Sequence, residues 1–295
     1  MSYNADEVAE IFQNAAEENR LSPMRAMQVV HLPEEGDVYI AGDLHDHRRN
    51  LEKLLHTVDL ENNPQNQLIL QEVVHGNHWD ETGCEGSWET LLKVADLKCR
   101  FPHQVHFIFA NHDLAQIHGE GISKNGQSVC AAFNKAIKRD FPGHTGIIQA
   151  AITDFLLSFP LAIRSVNGLF FTHSVPGDAD IENFDYGVFD RELTGPDYQR
   201  KVGPVYQLIW GRKTTPPFVD YFLERVGGQL SVVGHQAQES GYARNGDRQI
   251  IIASDHNQGV FLRASLSDPL DIETLVLGLT KFVAVQLPQV EEAAS

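Results

Sequence analysis

The chain has 295 residues, 42% of them hydrophobic and 21% charged, a globular composition long enough to bury a sizeable core. Forty acidic against 23 basic residues leave a formal net charge of −17, which repels polyanions and excludes long nucleic acid and anionic membrane surfaces as expected partners. No apolar run approaches bilayer length, the first 20 residues carry no apolar signal core, and Cys84, Cys99 and Cys130 contain no Cys-x-x-Cys, so a reducing, cytoplasmic setting is expected.

Residues 1–36 read as an N-terminal helical extension. Val8, Ile11, Phe12, Ala15 and Ala16 recur at helical spacing, which predicts a helix packed on the outside of the domain. From Asp37 the pattern changes. Val38–Ala41 is a short buried-strand signal, Arg48–Val58 a helix with Leu51, Leu54 and Leu55 on one face, and Gln67–Val74 a second strand. Ser87–Leu97 reads as a helix opened by a capping serine, and Val105–Ala110 as a third strand. This alternation predicts βαβ units and a parallel sheet. Residues 114–158 look mainly helical. Leu161–Ser165 and Leu169–Thr172 flank Asn167-Gly168, a strong hairpin signal, and Leu230–Val233, Ile250–Ala253 and Val260–Ala264 add strands. The expected class is α/β, with one domain over residues 37–287 and a frayed acidic tail over 288–295.

Ligand-type side chains follow several of these strands. Asp43 and His45 follow the first, and residues two apart on an extended chain share a side. Glu72 lies near the end of the second, Asn111 and His112 end the third, and His173 and His235 end two others. Strand C-terminal ends are where open α/β sheets place their sites. A single Asp or His there is usually a cap or a hydrogen-bonded core residue; five segments together point to a metal site. Nitrogen and oxygen donors without thiolate suit two divalent cations such as Mn²⁺, Fe or Zn²⁺.

Gly42-Asp43-Leu44-His45, Ala110-Asn111-His112-Asp113, Thr172-His173 and Gly234-His235 resemble, in order, the motifs of calcineurin-like metallophosphoesterases, most closely the phosphoprotein-phosphatase-like branch. The resemblance spans about residues 37–264. It implies a two-sheet αββα sandwich, two divalent metal ions and phosphoester hydrolysis by a metal-bridging hydroxide. The family's second motif, Gly-Asp-x-x-Asp-Arg-Gly, is altered here to Leu70-Gln71-Glu72-Val73-Val74-His75-Gly76. That alignment puts Glu72 in place of the bridging Asp and His75 in place of the second Asp, and removes the arginine. Gly76-Asn77-His78-Trp79-Asp80 competes for the Asn-His motif, but only Asn111 follows a clear buried strand; Asn77 and His78 then form a loop near the site.

The resemblance implies roles. Asp43, His45 and His235 hold one metal, Asn111 and His173 the other, and Glu72 bridges them. His112 protonates the leaving alkoxide, with His75 or Asp113 orienting it. Arg212, with Asn111, is a candidate for binding phosphate, which a planar guanidinium grips with two donors. Asp46 reads either as support for a ligand histidine or as a cap before Arg48. His47 reads as a surface residue, and Asp255 and His256 as a turn. Seven acids between Gly177 and Asp197 would line a rim that disfavours polyanions. The expected substrate is a phosphorylated small molecule or a phosphoprotein. The alternatives are a dinucleoside polyphosphate and, without catalysis, a bound phospho-ligand.

Overall fold

Val38 and Ile40 leave one side of their strand and Tyr39 and Ala41 the other, and all four are buried. Such a strand needs cover on both faces. A computed structural model of the protein, describing residues 4–77, 79–119, 122–124 and 126–288, shows what covers them. In chain order the elements are α1 (Ala5–Leu21), β1 (Arg25–Ala26), β2 (Val29–His31), β3 (Asp37–Asp43), α2 (Arg48–Val58), β4 (Gln67–Gln71), α3 (Trp88–Arg100), β5 (Val105–Ile108) and α4 (Asn111–His118). There follow β6 (Ser123–Lys124), β7 (Gln127–Ser128), α5 (Val129–Asp140), α6 (Thr145–Leu157), β8 (Ala162–Arg164), β9 (Leu169–Thr172), α7 (Pro204–Trp210) and α8 (Pro216–Val226). The last are β10 (Leu230–Val233), β11 (Tyr242–Asn245), β12 (Gln249–Ile252), β13 (Val260–Ser265), α9 (Ile272–Leu277) and β14 (Leu279–Lys281).

One sheet has five strands in the order β14-β13-β3-β4-β5, the other seven in the order β1-β2-β8-β9-β10-β12-β11. β3, β4 and β5 run parallel, as do β9, β10 and β12. Alternate residues of both sheets meet in one apolar layer: Val38, Ile40, Ile69 and Ile108 from the first, Phe171, Val232, Ile250 and Ile252 from the second. The intervening residues Tyr39, Leu68, Leu70 and Phe107, and on the other sheet Phe170, Val233 and Ile251, face the helices. Phe107 packs on Phe155 of α6, with ring centres 5.3 Å apart, and Phe170 on Phe222 of α8 at 5.9 Å. This is the expected αββα sandwich.

The segment before residue 37 contributes to both layers. α1 packs against α3 and α6, burying Phe12 against Phe155 with ring centres 5.7 Å apart. β2 pairs in parallel with β8 and so extends the seven-stranded sheet. The expected hairpin forms as β8 and β9 around Asn167 and Gly168, where Gly168 takes a φ of 96°. The strand expected over 67–74 ends at Gln71, because Glu72 turns out of the sheet with a φ of 46°. No helix among the described residues is long and apolar enough to cross a membrane. His78 and residues 289–295 of the expected tail lie outside the described residues.

The topology sets the site. Parallel strands end on the same edge, so the segments after β3, β4 and β5 emerge beside one another, as do those after β9 and β10. A lone parallel bridge between Asp43 and Ala253, just beyond β12, joins the two sheets at that edge.

Candidate metal centre

Glu72 stands at the middle of the site. Its Oε1 lies 3.3 Å from Nε2 of His45 and 3.3 Å from Nε2 of His112, and its Oε2 lies 2.8 Å from Nε2 of His173. Two donor groups therefore share this carboxylate: His45, Glu72 and His112 on one side, and Glu72, His173 and His235 on the other. Asn111, at the start of α4, puts Oδ1 2.7 Å from His173 Nε2 and 2.9 Å from His235 Nδ1. Asp43 lies at the edge of the second group, with Oδ1 3.7 Å from His173 Nδ1 and accepting the backbone N–H of His235 at 2.9 Å.

The backbone is bent to make this possible. His45, Asp46, Glu72, His75 and His235 have φ of 43°, 56°, 46°, 65° and 63°, a region that side-chain-bearing residues seldom occupy and that is held only where surrounding structure dictates it. The loops after β3 and β4 are zipped together, with the N–H groups of Leu44 and His45 both donating to Glu72 O and that of Asp46 to Val73 O. Gly234 completes the close approach: a Cβ there would fall 2.4 Å from Asp43 Oδ1 and 3.0 Å from Gln71 Oε1.

Hydrogen bonds fix which imidazole nitrogen faces inward. His45 Nδ1 lies 3.0 Å from Val74 O and therefore donates, which turns Nε2 of the neutral ring toward Glu72 as a lone pair. Gln71 donates from Nε2 to Ala41 O and so presents Oε1 to His173 Nδ1 at 2.8 Å. Nε2 of neutral His173 then points a lone pair at two oxygens, Asn111 Oδ1 and Glu72 Oε2. Acceptors crowded on acceptors repel one another, and a cation between them relieves the repulsion. His235 Nε2 is buried and has no hydrogen-bond partner among the described residues. These neutral nitrogen and oxygen donors fit divalent cations.

The electrostatics agree. Burial lowers His173 to about 4 and His235 to about 2, with Arg212 pushing both further down. Both rings are thus neutral near pH 7, as metal ligation requires. Burial and then the neighbouring Glu72 raise Asp43 to about 7, so two carboxyl groups crowded here lack positive charge between them.

The expected residues are distributed as follows. Asp43, His45, Glu72, Asn111, His112, His173 and His235 converge. The division of ligands differs from expectation, because His235 was expected with Asp43 and His45 but its ring stands with His173 and Asn111. The reason is that β9 and β10 are neighbours, so their ends deliver both rings together. His75 is fully buried with Nδ1 2.9 Å from His112 Nδ1. Asp113 does not reach His112 in this way; its carboxylate accepts the N–H of Ala110 at 2.8 Å and caps α4. Asp46 binds Arg48 at 3.0 Å and Thr90, and no ligand ring. His47 Nδ1 accepts the N–H of Asn50 and caps α2. His256 Nε2 donates to Gln238 O.

Arg212 borders a cleft of about 710 Å³ lined also by Asp178, Asp180, Lys201, Tyr206 and Trp210. The Trp210 ring meets His235 edge-on at 6.1 Å, so this cleft adjoins the donor groups. The acidic stretch is partly spent internally: Arg191 holds Asp185 at 2.7 Å and Asp197 at 2.6 Å, and Asp178 accepts the N–H of Thr215.

Two supporting residues were not singled out from the sequence. Gln71 was legible only as a polar residue ending the apolar run Leu68-Ile69-Leu70. Glu85 is fully buried, accepts the N–H groups of Gly76 and Ser87 at 3.1 and 3.0 Å, and accepts Ser87 Oγ at 2.7 Å. Ser87 Oγ in turn accepts the N–H of His75 at 3.0 Å, so Ser87 supports the His75 loop and makes no cap bond on α3.

No family model matches the sequence. A serine/threonine phosphatase from Saccharomyces cerevisiae, described as similar to human phosphatase PP5, superposes with a TM-score of 0.69 over 98% of this chain and 92% of its own, at 16% identity. The fold is that of a phosphoprotein-phosphatase-like metallophosphoesterase. The same fold recurs in a cold-active protein-tyrosine phosphatase of a psychrophilic Shewanella species, with a TM-score of 0.58, 16% identity, and coverage of 88% and 84% of the two chains. In sequence, the chain is 23% identical over 266 residues to a probable serine/threonine-protein phosphatase of Encephalitozoon cuniculi, matching 83% of this chain and 52% of that protein. The chain thus spans about half the length of that curated relative.

Proposed function

We propose that this protein is a divalent-metal-dependent phosphomonoesterase acting on phosphoserine and phosphothreonine in proteins. The observation that carries the reading is Glu72, one buried carboxylate shared by two sets of inward-facing donors. Asp43, His45 and Glu72 would hold one cation, and Glu72, Asn111, His173 and His235 a second. Bound divalent cations supply charge neutralisation for phosphoryl oxygens and lower the pKa of water. Mn²⁺ is the working choice in vitro. The three cysteines, none of them in a disulfide, support a reducing, cytoplasmic setting.

The chain's own groups do the rest. Arg212 lies at the cleft and meets the phosphate with its planar fork. Asn111, between the two histidines, holds a phosphoryl oxygen or a cation in register. His112 Nε2 faces the centre and delivers a proton to the leaving oxygen, while Nδ1 is held by His75. Tyr206 and Trp210 of the short α7 line one side of the cleft.

The test is turnover of p-nitrophenyl phosphate and of phosphoserine peptides by the purified protein with added Mn²⁺, beside His112→Asn. Losing the proton donor should lower kcat on the peptides by about 10²- to 10⁴-fold with metal content unchanged. Turnover of dinucleoside polyphosphates alone would replace the protein-phosphatase reading. Metal binding with no turnover of any of these substrates would leave a binding protein and overturn it.

A further inference from the structure

The chain has a hydrogen-bonded relay behind His112 that ends in amide groups. His75 Nδ1 lies 2.9 Å from His112 Nδ1, and His75 Nε2 lies 2.9 Å from Gln116 Oε1. The Gln116 amide nitrogen donates to Asn134 Oδ1 at 3.0 Å, and the same oxygen accepts Gln149 Nε2 at 3.0 Å. His75 is fully buried and Phe133 meets its ring edge-on at 5.9 Å, so the ring cannot turn freely. His112 and Gln116 stand four residues apart on α4, on one face, while Asn134 comes from α5 and Gln149 from α6.

A neutral imidazole has one donor and one acceptor nitrogen, and the bond at one fixes the role of the other. Asn134 Oδ1 turns the Gln116 amide so that its carbonyl faces His75. His75 Nε2 must then carry the proton, and Nδ1 must accept. His112 Nδ1–H is consequently the donor to His75, and the proton that the His112 imidazolium gives up lies at Nε2, toward the leaving group. We propose that Gln116, held by Asn134, is a positioning residue that fixes the tautomer of His75 and so makes His75 the acceptor for His112. A neutral imidazole thereby does the orienting that a carboxylate would otherwise do, with its hydrogen bonding set by an amide. The role of this relay in turnover rests on the phosphatase reading; the tautomer itself does not.

The direct test is ¹⁵N NMR of the imidazole nitrogens in the purified metal-free protein and again with Zn²⁺. The expected spectrum shows His75 Nε2 protonated and Nδ1 unprotonated, and Gln116→Leu scrambles that assignment while Gln116→Glu, which keeps an acceptor there, preserves it. His75 protonated at Nδ1 in the wild type, with Gln116 donating to it, overturns the proposal whatever the enzyme does. The kinetic arm compares phosphoserine peptide, whose alkoxide needs a proton, with p-nitrophenyl phosphate, whose phenolate leaves more readily. Gln116→Leu should lower kcat on the peptide by about tenfold, several-fold more than on the aryl ester, with KM unchanged and Gln116→Glu restoring most of the loss. Equal losses on both substrates, or a loss tracking metal content, would mark Gln116 as merely structural and overturn the positioning role. If wild-type protein hydrolyses neither substrate, the phosphatase reading fails while the spectrum still decides the tautomer.

Discussion

At the scale of a residue, the centre is organised by a glutamate where the resembled motif carries an aspartate. A glutamate reaches one methylene further, and here it stands just past the end of β4, at positive φ. The result is a carboxylate within 3.3 Å of three imidazole nitrogens. Glu72→Gln removes the shared negative charge but keeps the shape. It should reduce the metal bound per chain in elemental analysis of the purified protein, while Glu10→Gln, on the exposed face of α1, should not change the metal count. Unchanged stoichiometry in Glu72→Gln would mean that the two donor groups do not share this ligand. Glu72 was legible as a candidate from its place after the apolar run Leu68-Ile69-Leu70, and as the central acid only through the family resemblance. Its conformation was not, because no pattern in one sequence announces a non-glycine residue at positive φ.

At the scale of an element, the loops after the strands matter more than the strands. The alternation of buried residues in β3, β4, β9, β10 and β12 was readable, since the strands are short, apolar and separated by helical segments. The strands β1, β2, β6, β7, β11 and β14 were not, because they are two or three residues long or, in β11, largely polar, and so give no apolar run to be seen. The grouping of His235 with His173 also needed strand order, which chain order does not give. The loop from Glu72 to Ser87 is the most demanding part: it is pinned by Glu85, whose buried carboxyl is raised to about 7, mainly by burial. Between pH 4.5 and 7 the native state holds the Glu85 proton more tightly than the unfolded chain does. Its contribution is therefore fully present at low pH and is lost as pH rises through 7. Glu85→Gln cannot ionise and keeps an acceptor for Gly76 and Ser87. Urea melts should show the variant gaining on wild type from pH 5 to pH 8, by up to about 3 kcal/mol. A difference independent of pH would mean that Glu85 is ionised throughout.

At the scale of the whole molecule, the centre is a seam between two sheets. Asp43 ends a strand of the five-stranded sheet and Glu72 and Asn111 follow two others, while His173 and His235 follow strands of the seven-stranded one. Contacts across the seam include His173 to Glu72 at 2.8 Å and His235 to Asn111 at 2.9 Å. Cations held there would tie the two layers together, since a ligand that binds only the folded state stabilises it by mass action. At a hundred times its dissociation constant, one bound ion adds about 2.7 kcal/mol, or about 5 °C in Tm for a chain of this size. A chain of net charge −17 also gains from any cation that screens its self-repulsion, so the size of the shift alone decides nothing. The distinguishing features are saturation at stoichiometric Mn²⁺ and dependence on His235, whose Nε2 is buried with no hydrogen-bond partner among the described residues. His235→Ala should remove most of the saturable shift in a thermal melt while leaving the gradual rise with added salt. The same saturable shift in His235→Ala would place the stabilising ions elsewhere on the acidic surface, and the seam would then be held by packing alone.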